Sequence, residues 1–149
     1  MAIKLGIIGL PNTGKSFSRK SIKRGEDVFV IAPTRKGMHL TTSDGKPIQP
    51  FNLEFGEWKT TEAIMKAKGY TTVAQTLEQV MKSGKEVKVT GNWIICKKLK
   101  DLETYLKWVS EKMPHIKTII LPDFTHFISE VIADPAFIGR KAGGEAFQR

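Results

Sequence analysis

Residues 9–16 read GLPNTGKS, which matches the phosphate-binding loop pattern G-x-x-x-x-G-K-[ST] at all four constrained positions. In this pattern the backbone N–H groups of the loop surround a polyphosphate. We therefore expect Lys15 to reach the terminal phosphates and the Ser16 hydroxyl to coordinate Mg²⁺. An ordinary Gly- and Pro-rich turn is the alternative interpretation, and the sequence on either side of the loop decides against it.

The flanking sequence supplies the elements that such a loop requires. Residues 3–8, IKLGII, form a short apolar run typical of a buried strand, and residues 15–24 predict a helix ended by Gly25. The amino end of that helix would add unpaired N–H groups and a partial positive charge. The predicted nucleotide-binding residues are Gly9, Leu10, Pro11, Asn12, Thr13, Gly14, Lys15, Ser16 and Phe17.

The rest of the chain alternates apolar runs with helical patterns. Strands are predicted over residues 27–32 and 117–121, with one or two more within 86–96 around the turn-prone pair Gly91–Asn92. Helices are predicted over residues 60–68, 71–83, 101–113 and 124–132, and another after Asp134. This alternation predicts an α/β fold of the P-loop NTPase type, with a mostly parallel sheet between two helical layers.

Asp123 is the candidate metal ligand outside the loop. It is the acid that follows the predicted strand 117–121, where P-loop NTPases place a carboxylate that holds Mg²⁺. Asp is also a favoured N-cap, and a periodic apolar helix follows directly, so a capping role stays open. We predict Ser16 and Asp123 as metal ligands, and Lys15 and Asp123 as catalytic residues.

The charge, the length of the apolar runs and the cysteine count indicate which partners and which location to expect. The 149 residues carry a net charge of +9, from 24 Lys and Arg against 15 Asp and Glu, which favours polyanionic partners. No apolar run approaches 18 residues and no signal peptide is recognisable, so we expect no membrane partner. The single cysteine, Cys96, lies in an apolar run that predicts a buried side chain. One cysteine fits a reducing compartment, so we expect a cytoplasmic location.

Several further residues are weaker candidates. Trp93 lies next to Lys97, Lys98 and Lys100, which indicates either a contact with single-stranded nucleic acid or a core tryptophan followed by a solvated helix start. Glu57, Glu130 or Asp123 could activate a water molecule, although the first two are also typical surface acids. His126 could approach a γ-phosphate. His39, His115 and His126 are too scattered in sequence to predict a metal site.

Four segments together resemble a phage family of small RecA-like P-loop ATPases linked to recombination and single-strand annealing. They read GIIGLPNTGKSF, DVFVIAPTRKG, IKTIILPDFTHFISE and AFIGRKAGGEAFQR. The resemblance touches most of the chain, and the phosphate-binding loop is its most specific part. In that family the third strand typically ends in two acids followed by Phe. Asp123 and Phe124 match the last two positions, whereas Pro122 replaces the first acid, which is the usual Mg²⁺ ligand.

The resemblance implies an ATP-binding protein that hydrolyses ATP in phage DNA recombination or replication, in the cytoplasm of the host. Its expected partners are ATP or ADP, Mg²⁺, single-stranded DNA and possible further copies of the chain in a homo-oligomer. A small-molecule or nucleotide kinase is one alternative, although few arginines follow Arg35 to form a lid. A nucleotide-gated binding module with little hydrolysis is the other, and Pro122 favours it.

The resemblance also predicts that residues 1–149 are the N-terminal part of a longer P-loop domain. In RecA-like folds a further strand inserts between the strand that bears the acid and the strand before the phosphate-binding loop. Residues after 121 read as helical or irregular, so that strand is not found in the sequence. A partner chain could also supply that strand. Direct pairing of strand 3–8 with strand 117–121 would instead indicate a kinase-like topology.

Overall fold

A computed structural model of the chain describes residues 22–35 and 40–135. They form an α/β arrangement with three parallel strands, β1 (Val28–Ala32), β4 (Trp93–Ile95) and β5 (Thr118–Ile120). The order of these strands in the sheet is β4-β1-β5. Val30 pairs with Trp93 on one side of β1, and Val28 pairs with Thr118 on the other. The predicted α/β class with a parallel sheet is confirmed, and the sheet in the described part of the chain is small.

Strand β1 is buried throughout because apolar groups cover both faces of the sheet. Phe29 and Ile31 point into one cluster, which also contains Trp108 of helix α3 (Leu99–Lys112) and Phe127 of helix α4 (Thr125–Ala133). The alternate residues Val28, Val30 and Ala32 pack in a second cluster, against Leu40 and Ile48. An apolar run buried on both faces is typical of a central parallel strand.

Two shorter helices pack on the first face and begin and end at residues that the sequence identifies. Helix α1 (Thr61–Lys68) is capped by the Thr60 side chain, and helix α2 (Val73–Ser83) by the Thr72 side chain. Each hydroxyl accepts a backbone N–H at 3.1 Å, a cap that contributes about 1 kcal/mol. Gly69 and Gly84 end these helices in the left-handed conformation.

A separate antiparallel pair joins β2 (Asn52–Glu54) to β3 (Lys88–Thr90). Pro50 lies just before β2, and proline cannot donate a backbone hydrogen bond within a central strand. This agrees with the position of β2 outside the three-stranded sheet. The turn from β3 to β4 contains Gly91, and the Asn92 side chain donates to the backbone oxygens of Glu26 and Val28. This amide fixes the start of β4 against the start of β1.

The helix predicted over residues 15–24 is wrong at its end. Residues 22–24 are not helical, and Arg24 has φ −120° and ψ 62°, outside the helical region. A short 3-10 turn, Gly25–Asp27, leads into β1 instead. The remainder of that helix and the strand predicted over residues 3–8 lie outside the described residues. The RecA-like arrangement, in which strand 3–8 does not pair directly with β5, therefore stays a prediction.

Candidate functional site at the carboxyl edge of the sheet

The carboxyl ends of β1, β4 and β5 meet at one edge of the sheet, where open α/β folds bind ligands. Three short segments leave this edge. Residues 33–35 follow β1, residues 96–98 follow β4, and residues 121–123 follow β5. Within the described residues, this edge therefore has cations after β4 and β1 and a carboxylate after β5.

The predicted phosphate-binding residues lie outside the described part of the chain. These residues are Gly9, Leu10, Pro11, Asn12, Thr13, Gly14, Lys15, Ser16 and Phe17. Asp123 is the member of the predicted site that lies within the described residues.

Asp123 stands exposed at the end of β5 with a left-handed backbone, φ +53°. Asp and Asn adopt this conformation more readily than most other side chains. The predicted N-cap role of Asp123 is wrong, because helix α4 begins after Phe124, whose backbone oxygen accepts from Phe127 and Ile128. Across the described residues the Asp123 carboxylate has no hydrogen-bond or ion-pair partner. An exposed, unpaired carboxylate is the kind of oxygen ligand that Mg²⁺ binds.

The opposite side of the edge carries exposed cations. Lys97, Lys98 and Lys100 are all exposed at the start of helix α3. Arg35 lies over the Trp93 ring, with its guanidinium carbon 5.3 Å from the ring centroid. Trp93 is half-buried against the second cluster, and the Arg35 side chain lies over its ring. The three lysines are therefore more accessible to a ligand than the Trp93 ring.

Helix α4 connects these two sides through contacts that the sequence did not indicate. His126 Nε2 lies 2.9 Å from the carbonyl oxygen of Lys97. Glu130 accepts a hydrogen bond of 2.9 Å from the Leu99 backbone N–H, which is the first residue of α3. A carboxylate at a helix amino end is stabilising because it meets both an unpaired donor and the positive end of the dipole. Glu130 therefore has a structural contact, as does His126.

Among the described residues, the candidates Glu57 and His115 do not join this edge. Glu57 is exposed in a turn between Phe55 and Trp58, which lies in the β2–α1 connection. His115 is exposed before β5, and His39 lies outside the described residues. Across residues 22–35 and 40–135, no group of three or more His, Cys, Asp or Glu side chains is placed to hold a metal ion.

A shallow cleft of about 210 Å³ runs along the other edge of β4. Trp93, Ile95, Met65 and Val73 line it, and Glu62 is the one ionisable side chain among the described residues of its lining. A phosphate group needs cations or free N–H donors, so these described side chains do not form a phosphate site.

Cys96 closes the end of β4 and is buried, as predicted. Its Sγ lies 3.3 Å from the carbonyl oxygen of Lys98, within the segment that carries the lysines. Burial raises the pKa of the Cys96 thiol from 9.0 to about 11, with smaller contributions from the nearby charges of Asp101 and Glu130. The raised pKa makes the folded thiol a poor nucleophile at neutral pH, because the thiolate is the reactive form.

The Cys96 thiol should make stability fall at alkaline pH. A folded-state pKa above the unfolded value gives a contribution that is complete below about pH 9 and is lost as the pH rises through about 11. We expect wild type to lose about 1–2 kcal/mol more than Cys96→Ala between these values. Urea unfolding of both proteins from pH 7 to pH 11 measures the difference, and parallel curves would contradict the assignment.

No helix within residues 22–35 and 40–135 has the length and apolar character needed to cross a membrane. Comparisons with protein-family models, with curated proteins and with solved structures found no match to this chain.

Proposed function

We propose that the chain is an ATP-binding P-loop protein with DNA-dependent ATPase activity, acting in phage DNA recombination or replication. The observation that carries the proposal is the sequence GLPNTGKS at residues 9–16. Two features of the described residues support it. Asp123 follows β5 at the carboxyl edge of a parallel sheet, and its carboxylate is exposed and without a partner in the described part of the chain.

Each of the predicted site residues would have a separate role in ATP hydrolysis. Residues 9–17 would bind the phosphates, and Lys15 would neutralise the charge that develops during transfer of the γ-phosphoryl group to water. Ser16 and Asp123 would hold Mg²⁺, which when bound screens the phosphate oxygens. Lys97, Lys98 and Lys100 are the exposed cations that would contact the backbone of single-stranded DNA.

A nucleotide-gated binding module is the second candidate, because Pro122 stands where the resembling family has its first acid. Asp123 then acts alone at the end of β5, and a single exposed carboxylate favours slow hydrolysis. In this case the protein binds ATP, and the bound nucleotide changes its affinity for a partner with little turnover.

Measuring ATP turnover with and without single-stranded DNA separates these candidates. We expect turnover to rise when an oligothymidylate is added at about 50 mM salt. We expect the affinity for the oligothymidylate, measured from its half-maximal stimulating concentration, to fall as salt is raised, with log K against log salt having a slope of about −0.7 for each phosphate contact. ATP binding without turnover in either condition would favour the module. Transfer of phosphate to an acceptor other than water would favour a kinase, and absence of ATP binding would exclude all three.

A further inference from the structure

A second cleft, of about 170 Å³, lies between helix α1, helix α2 and the turn that precedes α1. Ile64 of α1 and Val80 of α2 are buried and form its apolar floor. The half-buried rings of Phe55 and Tyr70 line its sides. An apolar depression of this kind accepts an apolar group of a ligand, because burying that group removes its surface from water.

The ionisable side chains among the described residues of this lining are two exposed lysines, Lys68 and Lys85. Glu57 and Glu86 are near them in sequence but do not line the cleft. Across the described residues, the Lys85 ammonium and the Gln79 amide have no hydrogen-bond or ion-pair partner. We name this site the basic cleft. Its free donors beside an apolar floor suit a ligand that carries carboxylates next to an apolar group.

Lys68 is held at the basic cleft by the turn that precedes α1. The backbone N–H groups of Phe55 and Trp58 each donate to the other residue's carbonyl oxygen, at 3.0 and 3.1 Å. Their rings are stacked, with centroids 6.2 Å apart, and Lys68 Nζ lies 4.7 Å from the centroid of the Trp58 ring. This cation–π contact positions the ammonium before a ligand arrives, which lowers the entropy cost of binding.

The size and shape of the basic cleft favour a peptide over a nucleotide. Its volume is below the range of about 300–1,000 Å³ that small-molecule sites usually have. A nucleobase would need a free aromatic face, but the Trp58 ring already has Phe55 and Lys68 as partners. A single large side chain that anchors a peptide needs only a small apolar pocket.

We propose that the basic cleft binds an acidic peptide segment of a partner protein. One large apolar or aromatic side chain of that segment enters the cleft, and flanking carboxylates pair with Lys68 and Lys85. The net charge of +9 attracts acidic partners in the same way. This interaction goes beyond the proposed function, because neither ATP nor residues 9–17 take part in it.

The test uses a fluorescein-labelled nonapeptide that has one Phe between two pairs of Asp and glycines at its ends. Fluorescence anisotropy at about 50 mM salt should show saturable binding to the full chain. Replacing the peptide Phe with Ser should weaken binding by about tenfold or more, because the anchor is lost. Lys68→Glu and Lys85→Glu should each weaken binding by about fivefold or more, because a carboxylate then faces a carboxylate.

Lys66→Glu is the matched control. Lys66 and Lys68 both lie in the last turn of α1, where the helix dipole favours cations whether or not a ligand binds. Lys66 is two residues from both Ile64 and Lys68, so it lies on another face of the helix. Its replacement should change peptide affinity by no more than about twofold, because screening weakens distant charges. Lys85→Glu keeps the test valid if Lys68→Glu disturbs the turn, since the Lys85 side chain has no contact with Trp58.

Three results would show that the proposal is wrong. They are an absence of peptide binding, equal binding of the Phe and Ser peptides, and an equal loss in Lys66→Glu and Lys85→Glu. The same variants are also titrated with a labelled oligothymidylate. A loss of oligothymidylate affinity that is larger in Lys68→Glu and Lys85→Glu than in Lys66→Glu would assign the cleft to nucleic acid instead. ATP binding is measured separately, so failure of the peptide to bind leaves the proposed function intact.

Discussion

Replacing Lys15 with alanine should weaken ATP binding by about 10- to 100-fold and abolish turnover, with little change in folding stability. Lys15 is the invariable cation of the pattern in residues 9–16, and hydrogen bonds from a charged donor to phosphate contribute about 1.5–3 kcal/mol each. The pattern assigns the Lys15 side chain to the ligand and not to a packed core, and substitutions outside the core usually change stability by less than about 0.5 kcal/mol. Titration with a fluorescent ATP analogue and thermal unfolding measure the two quantities.

Lys20→Ala provides the charge-matched control for that variant. Lys20 lies outside the four constrained positions, so its replacement removes the same charge from the same part of the chain and should leave ATP affinity near the wild-type value. Equal ATP affinity and turnover in Lys15→Ala and wild type would rule out the phosphate-binding interpretation of residues 9–16.

Gly91→Ala should destabilise the fold by about 3 kcal/mol and lower the melting temperature by roughly 10 °C. Gly91 has φ +85°, and a Cβ placed there would lie 2.0 Å from the Pro50 carbonyl oxygen. Both the left-handed backbone and the steric overlap oppose a side chain. The turn must then move away from Pro50, which disturbs the neighbouring Asn92 that fixes β4 to β1.

Gly84→Ala separates the two causes. Gly84 also has a left-handed backbone, φ +64°, but apart from its chain neighbours no atom of the described residues lies within 4 Å of its ideal Cβ. We expect this variant to lose about 1 kcal/mol from backbone conformation alone. The excess loss in Gly91→Ala, measured by urea unfolding, is therefore the cost of the contact with Pro50. A loss equal to that of Gly84→Ala would mean that the turn relaxes without penalty.

The elements that local chemistry specifies could be predicted from the sequence. Helices α1 and α2 begin after Thr60 and Thr72 and end at Gly69 and Gly84 because these residues supply caps within one turn of the helix. Strand β1 could be predicted from its unbroken apolar run. The helix predicted over residues 15–24 is too long at its end, because Gly25 is a typical helix stop but residues 22–24 before it are already not helical.

The contacts of α4 could not be predicted because they join residues about 30 positions apart in the sequence. In sequence, Glu130 is like any surface acid on an amphipathic helix. Its partner is the backbone N–H of Leu99, and a contact with a backbone group leaves no pattern of residue types from which it could be predicted. His126 likewise lies within hydrogen-bond distance of a backbone carbonyl oxygen, that of Lys97. Asp123 was correctly placed at the end of a parallel strand, but its capping role was wrong because α4 begins one residue later.

The left-handed backbone of Asp123 determines which substitutions can test the role of its carboxylate. An alanine at this position would lose the carboxylate and also strain the turn, so loss of activity would have two indistinguishable causes. Asparagine tolerates the same φ and removes only the charge, whereas glycine relaxes the backbone and removes the whole side chain. Both replacements remove the carboxylate charge, but they differ in the conformational freedom of the turn. Comparing the Asn variant with the Gly variant therefore separates the effect of the lost charge from the effect of a more flexible backbone.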